Sequence, residues 1–333
     1  MGADWGSLGG GSMNVTDFDH LPRSLYSQLG VLGLLDGDPP QGIGFVRRFR
    51  GLGLPCAEYY AVYAVEDGRI LSQVEVVRPR FTSDAGSEVV CGVAGVATRP
   101  DAVRRGLAGR LIREVHRREA ALGQRWSFLW THRSWGAHTL YERLGYRDVY
   151  SPPSAFRPLG LRRIRRFPSG YEWVTVTRRD LPTLERVFLR STQGRLGFVS
   201  RPPGLLSARV RMGWRVPENH RVLYRRGAAV GYAHLTFSPW HVGANEVLVD
   251  GPEHLVPMID ALESTEPERS FSLGSTTFVR DAQEELERRG YVIYPFAHVT
   301  LMARPLTRER RPGEDPARVC ADPRFSCHRA DAF

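Results

Sequence analysis

Lysine is missing from this sequence: all 46 basic residues are arginine, set against 36 acidic ones, for a formal charge of +10. The arginines are scattered, with one dense run at 162–166 that reads as a solvated linker. Dispersed charge of this kind does not make a nucleic-acid surface, and no nucleic-acid partner is expected. With 34 glycines and 23 prolines, the bias resembles that of a GC-rich coding sequence. Cysteine is scarce. Cys56, Cys91, Cys320 and Cys327 show no metal-ligand spacing, so free thiols and no metal are expected. No apolar run approaches the roughly 20 residues that cross a bilayer, so no membrane partner is expected. Residues 1–12 are rich in Gly and Ser and carry acid rather than base. They read as a flexible leader and not as a signal peptide, which makes the cytoplasm the expected location.

What is present is ordinary globular composition in a chain long enough for two domains of about 150 residues each. A Pro- and Arg-rich stretch over about 151–170 divides it. In the first half, 17–33 has the Leu and Tyr spacing of a helix. Strands are predicted over 59–65 and 70–77 around an Asp67-Gly68 turn, then over 89–98. A helix follows over 106–122, a strand over 126–131, and a helix from a Ser134 cap to Leu144, stopped by Gly145. The second half repeats this order. It has a strand at 171–176, a helix from an Asp180 cap, a hairpin around Arg226-Gly227 and a strand at 246–249. A helix at 253–262, a strand at 271–274 and a helix at 282–289 follow, with strands at 291–294 and 298–303 to close it. The tail after Pro305 is charged and Pro-rich; disorder and packing across the second domain are both open.

The densest chemical signal is the run from Val96 through Ala97, Thr98, Arg104, Arg105, Gly106, Leu107, Ala108 and Gly109, passing from strand into helix. Glycine lets a turn approach a ligand, and the first helical N–H groups with the positive end of the helix dipole face an anion. By mechanism this is a pyrophosphate cradle.

That segment resembles motif A of the GNAT superfamily of N-acetyltransferases, Arg/Gln-x-x-Gly-x-Gly/Ala, with Gly106 and Ala108 in the last two places and Val103 departing from the first. Residues 134–146, from Ser134 and Ala137 through Tyr141 to Tyr146, resemble the motif B helix, with Ser134 in place of asparagine. The resemblance covers about 59–150. It implies an α/β (α+β) fold of tandem GNAT units, mixed central sheets flanked by helices. The bounds expected are a 13–155 catalytic domain, a 156–170 linker, a 171–304 degenerate copy and a 305–333 tail.

The resemblance further implies that acetyl-CoA serves as co-substrate. Its pantetheine pairs with the strand at Val96, Ala97 and Thr98, its pyrophosphate rests on Arg104, Arg105, Gly106, Leu107, Ala108 and Gly109, and Ser134 and Ala137 lie beside it. A backbone N–H near Val96 would hold the oxyanion, and Tyr141 would protonate the leaving thiolate. Glu75 and His132 are the candidate bases. In the second half the corresponding turn, 249–254, carries Pro252, Asp250 and Glu253, which disfavour an anion. The layout resembles Eis-like and antibiotic-modifying tandem acetyltransferases. The expected activity is acetyl transfer to the amine of a small molecule, by a chain that could form a homo-oligomer. Transfer of a longer acyl chain, and non-catalytic binding of CoA or a small molecule, stay open.

Overall fold

In the computed structural model the described residues are 13–29, 32, 59–158, 167–211, 215–265, 269–294, 298–307 and 315–327. The first half contains β1 (Asn14–Asp17), β2 (Tyr59–Glu66), β3 (Arg69–Val77), β4 (Arg80–Ser83), β5 (Gly86–Val89) and β6 (Cys91–Thr98). It continues through α1 (Leu107–Ala121), β7 (Trp126–His132), α2 (Gly136–Arg143), β8 (Arg147–Tyr150) and β9 (Ser154–Arg157). The second half begins with β10 (Tyr171–Thr175), α3 (Leu181–Ser191), β11 (Leu196–Gly197), α4 (Leu205–Arg211), β12 (His220–Arg225), β13 (Ala228–Phe237) and β14 (His241–Val249). After α5 (Leu255–Ser264) come β15 (Ser270–Leu273), α6 (Thr276–Asp281), α7 (Gln283–Arg288), β16 (Val292–Tyr294), β17 (Val299–Pro305), α8 (Pro316–Ala321) and β18 (Phe325–Ser326).

Two seven-stranded mixed sheets carry the architecture, in the orders β1-β2-β3-β6-β7-β17-β8 and β10-β12-β13-β14-β15-β9-β16. The β2–β3 and β12–β13 hairpins turn on Asp67-Gly68 and Arg226-Gly227, each pair with both residues at positive φ. That is the backbone a two-residue turn needs to match strand twist. Helix α1 lays Leu107, Leu111, Ile112 and Val115 into the first core against Val74, Val93 and Leu129. The second core is built likewise from Met258, Ile259 and Leu262 of α5 against Ala233, Val247 and Phe271.

Several elements depart from the sequence reading. Of the helix expected over 17–33, residues 17–28 instead form the end of β1 and 3-10 turns at Phe18–His20 and Arg23–Gln28, Leu29 and Leu32 are helical, and residues 30, 31 and 33 lie outside the described residues. Leu21, Leu25 and Leu29 are buried as a helical stripe would be, but Pro22 precedes the second turn and cannot continue the first. The strand expected over 89–98 is preceded by a β4–β5 hairpin that belongs to a separate small sheet, β18-β11-β4-β5. Helix α2 starts at Gly136 with Trp135, not Ser134, at its N-cap. Asp180 precedes α3 as expected, but its carboxylate accepts from Thr177 and does not cap the helix.

The largest difference concerns strand ownership. The strand expected to close the second half is β17, and it lies in the first sheet, antiparallel to both β7 and β8. Conversely β9, at the end of the first half, sits in the second sheet between β15 and β16. The linker expected from 156 therefore begins inside a strand. Both exchanged strands are tied by buried charge. Arg157 of β9 donates to Glu263 at 2.6 Å, and Arg289 donates to Glu263 at 3.0 Å and to Asp260 at 2.7 Å. Arg304 of β17 donates to His116 Nδ1 at 3.0 Å and to the Leu144 carbonyl. His116 Nε2 then lies 2.8 Å from the Tyr146 hydroxyl, which lies 2.6 Å from Ser127 Oγ.

The tail is ordered where it is described. β18 runs parallel to β11, and Phe325 is fully buried, edge-on to Tyr150 at 4.7 Å. Burying such a ring contributes about 1.5–3 kcal/mol. Cys91, Cys320 and Cys327 are buried, Cys91 and Cys320 as free thiols, and burial pushes the Cys91 thiol up to about 12. Cys56 and the 159–166 arginine run lie outside the described residues. No helix among the described residues is long and apolar enough to cross a membrane.

Candidate functional site

Strands β6 and β7 run parallel and pair only at Cys91–Ser127, Gly92–Phe128 and Val93–Leu129. Beyond Val93 they part, β6 continuing to Thr98 and β7 to His132. On its other edge β6 keeps pairing with β3 through Ala94, Ala97 and Thr98, with a register shift between Gln73 and Glu75. Gly95 sits in that irregularity at φ +49. An added Cβ there would meet the Glu75 carboxyl carbon at 2.6 Å. A bulge bends the strand and turns its N–H groups. The gap between the strands is thus flanked on the β6 side by backbone that β7 does not pair. Ser72 closes the bulge by donating to the Ala97 carbonyl at 2.9 Å and lies 2.8 Å from Thr98 Oγ1.

The chain leaves β6 through a 3-10 turn at Pro100–Ala102 and enters α1 over a backbone kink. Arg104 has φ +64 and Gly106 has φ +75. A non-glycine residue at positive φ is unusual and is held here by its surroundings. A Cβ added at Gly106 would meet nothing within 4 Å, so the turn faces open space. The first helical bond runs from Arg110 N–H to the Gly106 carbonyl, which leaves the N–H groups of Leu107, Ala108 and Gly109 without an i−4 partner in the helix. Arg104 is exposed, while Arg105 donates to Glu66 at 2.7 Å and holds that carboxyl below the usual carboxylate range. Arg69 and Asp101 form a further pair at 2.5 Å beside the turn.

Helix α2 presents Tyr141 into the first core, where it is 6 % exposed and edge-on to Tyr146 at 6.0 Å. Ala137 and Val96 pack partly buried against the same core. Glu75 is half-buried against Gly95 and accepts from Gln73 Nε2 at 3.3 Å. His132 stands at the end of β7 and contacts Ser134, whose Oγ is 2.6 Å from its Nδ1. Its ring stacks with Trp135 at 5.6 Å and with His298 at 5.0 Å. The two candidate bases therefore occupy different surroundings, Glu75 at the bulge and His132 in an aromatic stack. Sequence reasoning missed Gly95, Gln73, Trp135 and His298. A glycine inside an apolar strand is a signal for a bulge. His298 carried none, because only the strand exchange brings it to β7.

The equivalent turn of the second half is closed. A Cβ at Gly251 would meet the Glu253 carboxylate at 2.5 Å, and Asp250 accepts from Arg190 at 2.9 Å. The Glu253 carboxylate stands against Gly251, whereas nothing lies within 4 Å of a Cβ at Gly106 in the first-half turn.

Known proteins share this fold. Residues 86–151 match the family model described as FR47-like protein. Over 89 % of its length the chain superposes on 73 % of a probable N-acyltransferase from Enterococcus faecalis, with TM-score 0.66 and 15 % identity. It covers 90 %, against the whole of the other chain, for the tandem GNAT protein of the clavulanic acid biosynthesis pathway, with TM-score 0.56 and 14 % identity. The chain has a tandem GNAT fold. Eis1 from Mycobacterium abscessus shares this GNAT fold at TM-score 0.60 and 14 % identity, over 89 % of this chain and 74 % of that one. A search of curated protein sequences finds no match. Within the tandem GNAT fold, the parted strands and open turn occur in the first half and the closed turn in the second.

Proposed function

We propose that the first half is an N-acyltransferase site that takes acetyl-CoA and passes its acetyl group to the amine of a small molecule. The observation that carries this reading is the strand gap beyond Val93 leading directly to the open turn at Arg104–Gly106. The residues present fit the co-substrate. Backbone of Val96, Ala97 and Thr98 borders the gap and offers pairing groups to the pantetheine amides. The turn and the first-turn N–H groups through Gly109 offer donors to the pyrophosphate, with Arg104 and Arg105 as cationic flank. Ser134 and Ala137 form the α2 side of the same groove.

Acetyl-CoA supplies an activated thioester carbonyl. The amine nitrogen forms its bond to that carbon, and the carbon–sulfur bond breaks to give the amide and CoA thiol. Glu75 at the bulge takes the amine proton, directly or through water, and Tyr141 gives its hydroxyl proton to the departing sulfur. Backbone N–H near Val96 steadies the charge that develops on the carbonyl oxygen. His132, held by Ser134, is the alternative base. The working unit is residues 13–155 completed by β17. The second half, with its turn closed, does not take CoA and shapes the acceptor side. A soluble cytoplasmic enzyme is the corresponding cellular reading, and a homo-oligomer is compatible with it.

Calorimetric titration with acetyl-CoA, a longer acyl-CoA and CoA alone tests the proposal. One equivalent of acetyl-CoA per chain is expected. Preference for the longer acyl-CoA would move the assignment to long-chain transfer, and no binding of any of the three would overturn it.

A further inference from the structure

In the second half, a cavity of about 250 Å³ opens between α3 and α4. A dry apolar cavity of about 150 Å³ already holds a benzene ring, so this one has room for a ring with a short arm. Its walls include Leu184, Phe188, Leu205 and Leu206.

The polar groups at its edge divide into two sets. The first is self-contained. Arg201 stacks on the Phe188 ring at 3.9 Å and pairs with Glu246 at 2.8 Å, and the Tyr232 hydroxyl donates to the same carboxylate at 2.5 Å. One cation and one anion cancel, and both are hydrogen-bonded.

The second set is Glu185, one turn before Phe188 on α3. Its Oε2 accepts from the Gly204 N–H at 3.1 Å, while its Oε1 is buried with no hydrogen-bond partner. No arginine among the described residues forms an ion pair with it. The adjacent Arg186, also on the cavity wall, is exposed and donates to Thr183 at 2.8 Å. A buried acceptor without a donor is a costly group to keep unless something supplies the donor. An anion in an apolar wall asks specifically for a cationic donor.

We infer that this cavity is a second ligand site, which takes a small organic ammonium whose apolar body lies on Leu184, Leu205 and Leu206 and whose N–H groups reach Glu185. The site is separate from the parted strands of the first half. It lies in the half whose own turn is closed, and it stands whether or not the first half transfers acyl groups.

The test uses the full-length chain with benzylamine as probe and benzyl alcohol, equal in shape and uncharged, as control, read by ligand-observed NMR and calorimetry. Saturable benzylamine binding is expected, with benzyl alcohol about tenfold weaker. Glu185→Gln keeps the shape and removes the charge; it is expected to weaken benzylamine about tenfold while leaving benzyl alcohol unchanged. Thermal unfolding of Glu185→Gln establishes that the variant is folded. Absence of saturable binding overturns the inference. So does benzylamine binding that Glu185→Gln leaves untouched, since the amine then sits elsewhere, the first-half acceptor site included. Equal affinity for amine and alcohol also overturns it.

Discussion

Glu75 occupies the space into which a side chain at Gly95 would have to project, 2.6 Å from carboxyl carbon to ideal Cβ. The strand irregularity and a candidate base are thus one structural unit. Gly95 also has φ +49, a conformation that L side chains rarely adopt. Gly95→Ala is expected to destabilise the protein by about 1–2 kcal/mol in urea unfolding and to lower turnover further than that loss accounts for. Turnover at the wild-type level in a folded Gly95→Ala protein would separate the bulge from the chemistry.

Tyr141 is buried on α2 and carries the one proposed acid. Tyr141→Phe removes only a hydroxyl, so acetyl-CoA affinity by calorimetry is expected to hold while turnover drops by about 10²-fold or more. A variant with unchanged turnover would take Tyr141 out of the mechanism.

Gly106 combines φ +75 with open space where a Cβ would go. Gly106→Val adds bulk where the pyrophosphate is proposed to rest, and is expected to abolish acetyl-CoA binding. The fold should survive, with a loss of about 1–2 kcal/mol from backbone strain. Unaltered affinity would refute the cradle.

The buried Arg157–Glu263 pair fixes the exchanged strand β9. Arg157→Ala removes one buried cationic partner of Glu263 and is expected to cost about 3 kcal/mol or more in chemical denaturation. A change within experimental error would mean that β9 is held by its ladder alone.

His116 and His234 are each held near 3, first by burial and then by neighbouring arginine, Arg304 for His116 and Arg215 for His234. Once unfolded, each takes up a proton below its ordinary 6.5. Their contribution is therefore complete above pH 6.5 and falls as pH drops toward 3, by roughly 1 kcal/mol per pH unit for each histidine. Urea midpoints at pH 7.5, 6 and 5 should decline, and His116→Gln should flatten that slope. An equally steep slope in the variant would refute the assignment for His116.

Much of the fold could be read locally. Asp67-Gly68 and Arg226-Gly227 announced their hairpins because two positive-φ residues have few substitutes. The α1 stripe is a 3.6-residue period that survives in the folded core. The turn at Gly106 and the helix bearing Tyr141 were visible because their residues match two family motifs at fixed offsets. What local pattern cannot carry is partnership. The β9 and β17 segments look like strands of the halves that encode them, and nothing in Ala155, Phe156 or Leu301 names the sheet that receives them. The same blindness hid His298 beside His132, a contact across the exchange. Residues 17–28 departed from the helix expected there for another reason: a leucine stripe at helical spacing is equally served by consecutive 3-10 turns once proline intervenes.

Because β17 lies between β7 and β8, the first sheet is incomplete until residue 305 exists. During synthesis from the N-terminus, the half proposed to carry the chemistry must wait, its β7 edge open, while the whole of the second half is made. β8 cannot take its place beside β17 any earlier. The second half is thus part of the timetable on which the other half matures: a chain that stops before 299 would carry all seven strands of the second sheet and leave the first without β17.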